Sequence, residues 1–329
     1  VDKVRGLIIA GYGGHAGYSF AIAYELAKLG FKLDILLPRG YEYLAKKFEG
    51  LGSVYYMVLP RKPLEPLYYG LHRWFKAFIE STKFTMRDYD FIFAPGSNFS
   101  IPVSTILKLL KGVPIYVLED INRFSKPAKA VKILEKVGAK VLLHWNEQRK
   151  MYKKGVVVGV VYEPPLYKPR EDGYVLVTLG TLGSREVFDA VTKLSYERVV
   201  IQTGDIDPEV YKSEKPNWVF FKYTEDFHKW LAGASVVITH PGTTAATARL
   251  AYGKPVVIVY TKRHSTLYPL SDVARLSEKL NAVFICEITP KKLADAVEMA
   301  IKLEKPTLEN GAFKASRLIL KECLKTQAR

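Results

Sequence analysis

Short apolar runs near residues 6–10, 32–37, 53–59, 90–94, 113–118 and 140–144 alternate with segments whose apolar positions recur at helical spacing, near 17–30, 40–50, 66–82, 100–111 and 125–138. Apolar runs of this length, bounded by Gly and Pro turns, predict strands, and their alternation with helices predicts βαβ units and a mostly parallel sheet. The rhythm stops over Tyr162–Gly173, where Pro164, Pro165 and Pro169 remove backbone donors and the composition is that of a linker. It restarts with apolar runs at 174–179, 198–202, 218–221, 236–239, 255–260 and 282–285, and a last helical stretch spans about 311–326. The pattern predicts α/β architecture in two Rossmann-like domains, 1–163 and 164–329, with the final helix able to cross back and brace the first.

Both halves carry the same kind of turn. Gly11-Tyr12-Gly13-Gly14-His15-Ala16-Gly17 follows the first apolar run, and Thr239-His240-Pro241-Gly242-Thr243-Thr244 follows Val236-Val237-Ile238. Each reads as a strand-to-helix turn that presents backbone N–H groups at a helix start, where an anion is favoured. Leu179-Gly180-Thr181-Leu182-Gly183-Ser184 is a third such turn, and two glycine- and hydroxyl-rich turns in one half suit a diphosphate. Two open α/β domains facing each other across a cleft are the expected arrangement for a phosphate-bearing ligand. Dinucleotide binding fits poorly: the sixth place of G-x-G-x-x-G is Ala16, and Asp34 lies inside its apolar run rather than at the strand end where a ribose would need it. His15, at the carboxyl end of a strand, is a candidate general base, the alternative being a polar helix cap.

Composition narrows the class. At 329 residues and 48% hydrophobic the chain suits two domains of roughly 150 residues each. Its two cysteines, Cys286 and Cys323, make no disulfide framework, and no His/Cys cluster has zinc spacing, so a reducing interior and no structural metal are expected. Gln is scarce while Lys and Glu are abundant, as in proteins from hot environments. Of the net charge of +16, residues 1–160 carry +12. A basic half suits an anionic membrane surface or a phosphorylated substrate, and no nucleic-acid-binding motif accompanies it.

No apolar run is long enough to span a bilayer and no signal peptide is evident, so an intracellular, peripheral protein is expected. Between residues 64 and 79, Leu67, Leu71, Trp74, Phe75 and Phe78 recur at helical spacing beside Arg73 and Lys76. With Lys83 also close by, such a stripe suits a helix lying on a membrane surface, its contacts being Leu71, Arg73, Trp74, Phe75, Lys76 and Phe78. The competing reading is a buried amphipathic helix whose aromatics are core.

A resemblance covers nearly the whole chain. Gly13-Gly14-His15, Ala94-Pro95-Gly96-Ser97, Tyr116-Val117-Leu118-Glu119-Asp120, Leu142-Leu143-His144-Trp145, Val177-Thr178-Leu179-Gly180-Thr181, Thr239-His240-Pro241-Gly242 and Ala251-Tyr252-Gly253-Lys254-Pro255-Val256 follow one another as in MurG-type GT-B glycosyltransferases. The chain is similar, in particular, to a fusion of the two subunits of the dolichol-linked N-acetylglucosamine (GlcNAc) transferase, with an acceptor half and a nucleotide-sugar half. The resemblance implies an inverting, metal-independent transfer of GlcNAc from UDP-GlcNAc to a polyprenyl- or dolichyl-diphosphate-linked GlcNAc. It also implies a place at the cytoplasmic membrane face, in archaeal lipid-linked oligosaccharide assembly for N-glycosylation, and no cofactor.

His15 then matches the family's histidine, and Glu119 its acceptor-side carboxylate, an N-capping Glu being the other reading. Gly13, Gly14, Gly96, Ser97 and Asn98 make the candidate acceptor site. Gly180, Thr181, Ser184, Tyr223, Gly242, Thr243, Thr244 and Arg249 make the candidate donor site. The pattern departs in one place: where the family has a ribose-binding Glu this chain reads Ala248-Arg249, and the amide-rich motif expected near 266–272 reads Thr266-Leu267-Tyr268-Pro269-Leu270-Ser271-Asp272. Arg249 or Asp272 is the candidate substitute, the other readings being a related nucleotide sugar as donor or a degenerate donor site. A non-hydrolysing UDP-sugar epimerase and a catalytically silent membrane scaffold are the alternatives.

Overall fold

The computed structural model describes residues 4–62 and 65–327. The chain divides into two compact units, Val1–Val161 with Glu309–Arg329, and Tyr162–Leu308.

The first unit holds a seven-stranded parallel sheet of β1 (Arg5–Ile9), β2 (Lys32–Pro38), β3 (Ser53–Met57), β4 (Phe91–Ala94), β5 (Ile115–Leu118), β6 (Lys140–Leu143) and β7 (Val156–Val157), in the order β3-β2-β1-β4-β5-β6-β7. Helices cover both faces of such a sheet, so its central strands are apolar throughout, and β4 and β5 are buried at every position. Asp34 is the polar exception. It lies inside β2, opposite Leu7 of β1 and Ser53 of β3, and its carboxylate accepts from the Arg5 guanidinium at 3.0 and 3.1 Å and from the Tyr89 hydroxyl at 2.8 Å. Paired in this way the buried charge is tolerated, and it is spoken for.

Strand order reverses between β1 and β4, so the loops after these two strands diverge and leave a crevice at their carboxyl ends. The Gly11–Gly17 turn and the Pro95–Asn98 turn both lie there.

The second unit repeats the plan with six strands: β8 (Tyr174–Thr178), β9 (Val199–Gln202), β10 (Val219–Phe221), β11 (Ala234–Thr239), β12 (Val256–Val259) and β13 (Val283–Ile285), ordered β10-β9-β8-β11-β12-β13. Its switch point falls between β8 and β11, the strands that lead into the two glycine- and threonine-rich turns.

The final helix, Gly311–Gln327, belongs to the first unit and packs on the helix Gly14–Lys28. Its start needs glycine: a Cβ on Gly311 would lie 2.3 Å from the Gly159 carbonyl oxygen, and the Gly311 N–H donates to Val160 at 2.7 Å. Ala312, Ala315, Ile319 and Cys323 form its buried stripe, and the Tyr116 hydroxyl donates to Glu322 at 2.8 Å.

Four local features differ from the expectation. The stretch near 40–50 is a 3-10 helix, Glu42–Phe48, and a two-residue edge strand, β7, joins the first sheet. The 66–82 stretch divides into a 3-10 turn (Leu67–Gly70), an α-helix (Leu71–Ser81) and a second 3-10 turn (Thr82–Met86). Tyr162–Gly173 is irregular but is docked on the second unit: the N–H groups of Arg170 and Asp172 donate to Ala232 and Gly233 at 2.9 and 2.8 Å, and Glu163 contacts His228 at 2.7 Å.

Candidate functional site

In the first unit, Gly13 takes a positive φ of 57° to turn the chain from β1 into the helix that begins at Gly14, and this places His15 in the first turn. The His15 Nδ1–H donates to the Pro95 carbonyl at 2.8 Å, across the switch point. That bond fixes the tautomer and leaves a lone pair on Nε2. Burial lowers the His15 pKa below its ordinary 6.5 against the opposing pull of Asp120, and Arg123 lowers it further. A helix N-terminus also disfavours imidazolium. The result is a neutral imidazole with a basic nitrogen, the state a general base needs before reaction.

Gly96 follows Pro95 with φ of 79°, where a Cβ would lie 2.6 Å from the Leu118 carbonyl oxygen, so the turn after β4 closes tightly on β5. Ser97 is buried, 3.2 Å from Ser100 between hydroxyl oxygens, and lies against Gly11. Asn98 sits in the same turn, and its carbonyl receives the Ile101 N–H.

Glu119 plays a different part from the one expected of a carboxylate touching the acceptor. Its side chain has no exposure, one oxygen accepts the Asp120 N–H at 2.7 Å, and the other accepts the Ala128 N–H at 3.0 Å and the Tyr152 hydroxyl. Burial raises its pKa to about 6 against these bonds. Glu119 ties down the loop 119–128, which carries Asp120 and Arg123, the two charged groups that act on the His15 imidazole.

Two neighbours lie in segments that carry the family resemblance but were assigned no role from the sequence. Asp120 acts on His15 electrostatically, and its place in the Tyr116–Asp120 segment was its signal. His144, at the end of β6, accepts the Val161 N–H on Nδ1 at 3.0 Å and packs against Tyr18 at 5.2 Å between ring centroids. Its buried Nε2 has no hydrogen-bond partner among the described residues, and burial lowers its pKa to about 4.

In the second unit the turn after β8 is organised by where its carbonyl groups go. Arg263 donates to Leu179 at 3.3 Å and to Gly183 at 3.0 Å; the Gly183 N–H donates to Gly180 at 3.2 Å; the Asp205 N–H and the Tyr223 hydroxyl donate to Thr181 at 2.8 and 3.0 Å. Four carbonyls are thus engaged by protein donors, as required of a loop that offers its N–H groups to an anion. Gly180 (φ 70°) is needed for contact with the neighbouring turn, because a Cβ there would lie 2.9 Å from the His240 ring. That ring stacks on His264 at 6.0 Å, and burial together with His240 and Arg263 lowers the His264 pKa to about 3. Gly242 (φ 142°), buried Thr243 and half-buried Thr244 follow, while Ser184 precedes the helix Arg185–Thr192 without capping it through its side chain.

Tyr223 therefore acts on the turn, its hydroxyl also reaching Asp205 at 2.9 Å. Arg263 was missed because a lone Arg after an apolar strand carries no pattern.

The expectation for Arg249 is corrected. Its side chain is 1% exposed and its guanidinium donates to the carbonyls of Leu280 (3.2 Å), Lys254 (3.2 Å), Leu303 (2.9 Å) and Glu304. Every acceptor is a chain segment leaving or following a helix, so Arg249 fastens the ends of Leu270–Leu280 and Pro290–Ile301 and does not face a ligand. Ala248 is fully buried beside it, and Asp272 is buried near the start of Leu270–Leu280.

The amphipathic helix Leu71–Ser81 is also corrected in part. Trp74 turns inward onto the first unit's core and Phe78 is half-buried, while Arg73 pairs with Glu65. Leu71 (67% exposed), Phe75 (71%) and Ile79 (53%) form an exposed line at four-residue spacing, with Lys76 exposed beside them. The side chain of Leu67 lies outside the described residues. Among those residues no helix is long and apolar enough to cross a membrane, and no group of three or more His, Cys, Asp or Glu could hold a metal ion.

Comparison with known proteins agrees with this arrangement. Residues 174–317 match the family model of the glycosyltransferase family 28 C-terminal domain. The chain is similar to the UDP-N-acetylglucosamine–N-acetylmuramyl-(pentapeptide) pyrophosphoryl-undecaprenol N-acetylglucosamine transferases of Sulfurihydrogenibium sp. (26% identical over 184 residues, 52% of this chain) and Caldicellulosiruptor saccharolyticus (26% over 243 residues, 64% of this chain). It spans 51% and 64% of the lengths of these relatives. Among solved structures, MurG of Acinetobacter baumannii shares the fold with a TM-score of 0.63 at 18% identity, covering 97% of this chain and 99% of that one. A UDP-N-acetylglucosamine 2-epimerase does so at 0.65 and 13% identity, covering 100% and 97%. The two parallel sheets flanked by helices are those of a GT-B fold with two Rossmann-like domains.

Proposed function

We propose that this chain, whose residues 174–317 match the glycosyltransferase family 28 C-terminal domain and which resembles the two curated N-acetylglucosamine transferases, transfers GlcNAc from UDP-GlcNAc to a sugar on a polyprenyl-diphosphate lipid, with inversion and without a metal. The observation that carries the reading is His15, whose bond to Pro95 leaves Nε2 as the basic atom. The acceptor hydroxyl gives its proton to that nitrogen as its oxygen bonds to the sugar C1, and the bond from C1 to the diphosphate breaks with UDP leaving. The turn held by Arg263, together with Gly242 and Thr243, supports the reading by offering N–H groups and positive charge to the diphosphate. A GlcNAc-bearing polyprenyl or dolichyl diphosphate, as in archaeal N-glycan assembly, is the acceptor we favour.

The first unit docks on the cytoplasmic membrane face through Leu71, Phe75 and Ile79. Burial of three such side chains, at up to ~1.5–3 kcal/mol each, suffices for reversible recruitment.

The test is mass-detected transfer onto a short synthetic polyprenyl-diphosphate-GlcNAc, with and without EDTA. A disaccharide product in EDTA supports the reading. Conversion of UDP-GlcNAc to its C2 epimer with no acceptor product makes the chain an epimerase, and turnover of neither makes it a scaffold.

A further inference from the structure

A cavity of about 440 Å³ lies in the second unit, lined by Arg170, Asp172, Tyr174, Arg198, Lys229 and Trp230. All of these stand at or just before the amino end of a strand. Arg170 and Asp172 precede β8 and Tyr174 opens it, Arg198 immediately precedes β9, and Lys229 and Trp230 lie on the helix Phe227–Gly233, which runs straight into β11. The strands are parallel, and the turns at 179–184 and 239–244 follow their carboxyl ends. The five residues of β8 put about 13 Å between the two edges of the sheet, so the cavity is separate from the candidate donor turns.

The walls of the cavity are fixed by bonds. The N–H groups of Arg170 and Asp172 donate to Ala232 and Gly233, and the Lys254 ammonium donates to the Arg170 carbonyl. A Cβ on Gly233 would lie 2.2 Å from Asp172 Oδ2 and 2.6 Å from the Tyr174 hydroxyl, so both side chains close on the backbone there. That hydroxyl donates to the Trp230 carbonyl at 2.8 Å, and the Trp230 ring meets those of Tyr174 and Phe221 at 5.7 Å between centroids, which makes an aromatic wall. The Arg170 Nε engages both Asp172 oxygens, at 2.9 and 3.2 Å, and neutralises that carboxylate. Arg198 Nη1 donates to the Asp172 carbonyl at 2.6 Å, but among the described residues the rest of its guanidinium and the Lys229 ammonium have no hydrogen-bond or ion-pair partner. Arg198 and Lys229 are both exposed, so the cavity opens to solvent beside them with two positive charges unneutralised.

We propose that this cavity binds a small phosphate monoester carrying a flat apolar group, at a site distinct from the donor turns and independent of the transfer reaction. Two unneutralised cations suit a dianion: a phosphate monoester carries close to two negative charges at neutral pH and matches both, whereas a carboxylate matches one. The free side of the Arg198 fork offers donors to the phosphate oxygens, and Lys229 adds a point charge. The Trp230 and Tyr174 rings supply the reason for the flat group, since an aromatic wall beside the cations gains contact with a ring that a bare ion cannot provide. The volume is that of a site for a small organic ligand.

The probe is phenyl phosphate, titrated into the isotope-labelled full chain in sodium chloride at about 0.15 M, where loose surface attraction is screened. The readout is the NMR signal of the Trp230 indole N–H, assigned by its absence from Trp230→Phe. A saturating shift is expected, with phenyl phosphate binding at least about threefold tighter than inorganic phosphate and about tenfold tighter than benzoate. Arg198→Gln with Lys229→Gln should weaken phenyl phosphate by about tenfold or more and leave UDP affinity, read by calorimetry, within about twofold of wild type. Lys291→Gln with Lys292→Gln, the same charge change on exposed residues elsewhere in the unit, should leave both within about twofold. Arg263→Ala should leave the phenyl phosphate affinity unchanged.

An absent or non-saturating shift in wild type overturns the site. Undiminished binding in the Arg198/Lys229 variant, or an equal loss in the Lys291/Lys292 variant, overturns the assignment to these two cations. Benzoate that binds as tightly as phenyl phosphate overturns the phosphate class, and inorganic phosphate that does so overturns the part given to the aromatic wall. Loss of the shift in Arg263→Ala assigns the binding to the donor turns and overturns a separate site. Melting curves on each variant confirm that it is folded.

Discussion

Replacing Arg249 with Met keeps most of the stem's volume and removes every donor. Four backbone carbonyls, those of Lys254, Leu280, Leu303 and Glu304, then lose a charged partner. A hydrogen bond to a charged group contributes about 1.5–3 kcal/mol, and such bonds in one network do not add. The groups near residues 303 and 304 are only partly buried and regain water, whereas those of Leu280 and Lys254 remain inside. A loss of about 3–5 kcal/mol is therefore expected, most of it from the two carbonyls left unsatisfied inside, at roughly 1–3 kcal/mol each. For a unit the size of Tyr162–Leu308 this corresponds to a fall in Tm of roughly 10–15 °C. Calorimetric melting reads that change, and titration of UDP at 15 °C reads donor affinity in protein that is still folded. Affinity should stay within about threefold of wild type. A Tm within a degree or two of wild type, with UDP binding weakened tenfold or more, would refute the argument and return Arg249 to the donor site.

His15→Ala should lower kcat by about a hundredfold or more in the transfer assay while leaving UDP affinity nearly unchanged; near-wild-type turnover removes His15 from the chemistry. Because burial lowers the His15 pKa, the acidic limb of kcat/KM for wild type should fall at a pH below 6.5, activity being lost as the imidazole gains a proton; a midpoint above 6.5 contradicts the neutral base. Glu119→Gln keeps one oxygen but puts an amide where the Ala128 N–H and Tyr152 hydroxyl now donate, so it should cost about 1–3 kcal/mol in a denaturant titration and reduce kcat less than His15→Ala does. Arg263→Ala frees the Leu179 and Gly183 carbonyls and should weaken UDP binding by about tenfold or more, with added guanidinium restoring part of it; unchanged affinity shows that the turn holds its shape without Arg263.

Much of this protein is determined locally. Strands buried on both faces must be apolar throughout, and turns that begin helices must carry glycine where φ is positive, so the positions of the strands and of the Gly13, Gly180 and Gly242 turns are written in the chain itself. The last helix was readable for the same reason, since Ala312, Ala315, Ile319 and Cys323 recur at helical spacing. His15 was legible because its place at the end of an apolar run is a sequence fact.

Direction and partnership were not legible. Helical spacing marks a stripe around Trp74 and Phe75 but does not say which edge turns inward; packing half-buries Trp74 against the core and exposes Phe75. Position after the Gly242 turn suggested a ligand role for Arg249, yet its acceptors are carbonyls 5, 31, 54 and 55 residues away, and only folding brings them within reach. Glu119 and Arg263 follow the same rule, since a polar side chain's role is set by groups distant in sequence that burial obliges it to satisfy. Pattern along the chain decides which backbone forms what element, and the tertiary structure decides which polar atoms remain available for chemistry once the buried ones have been paired.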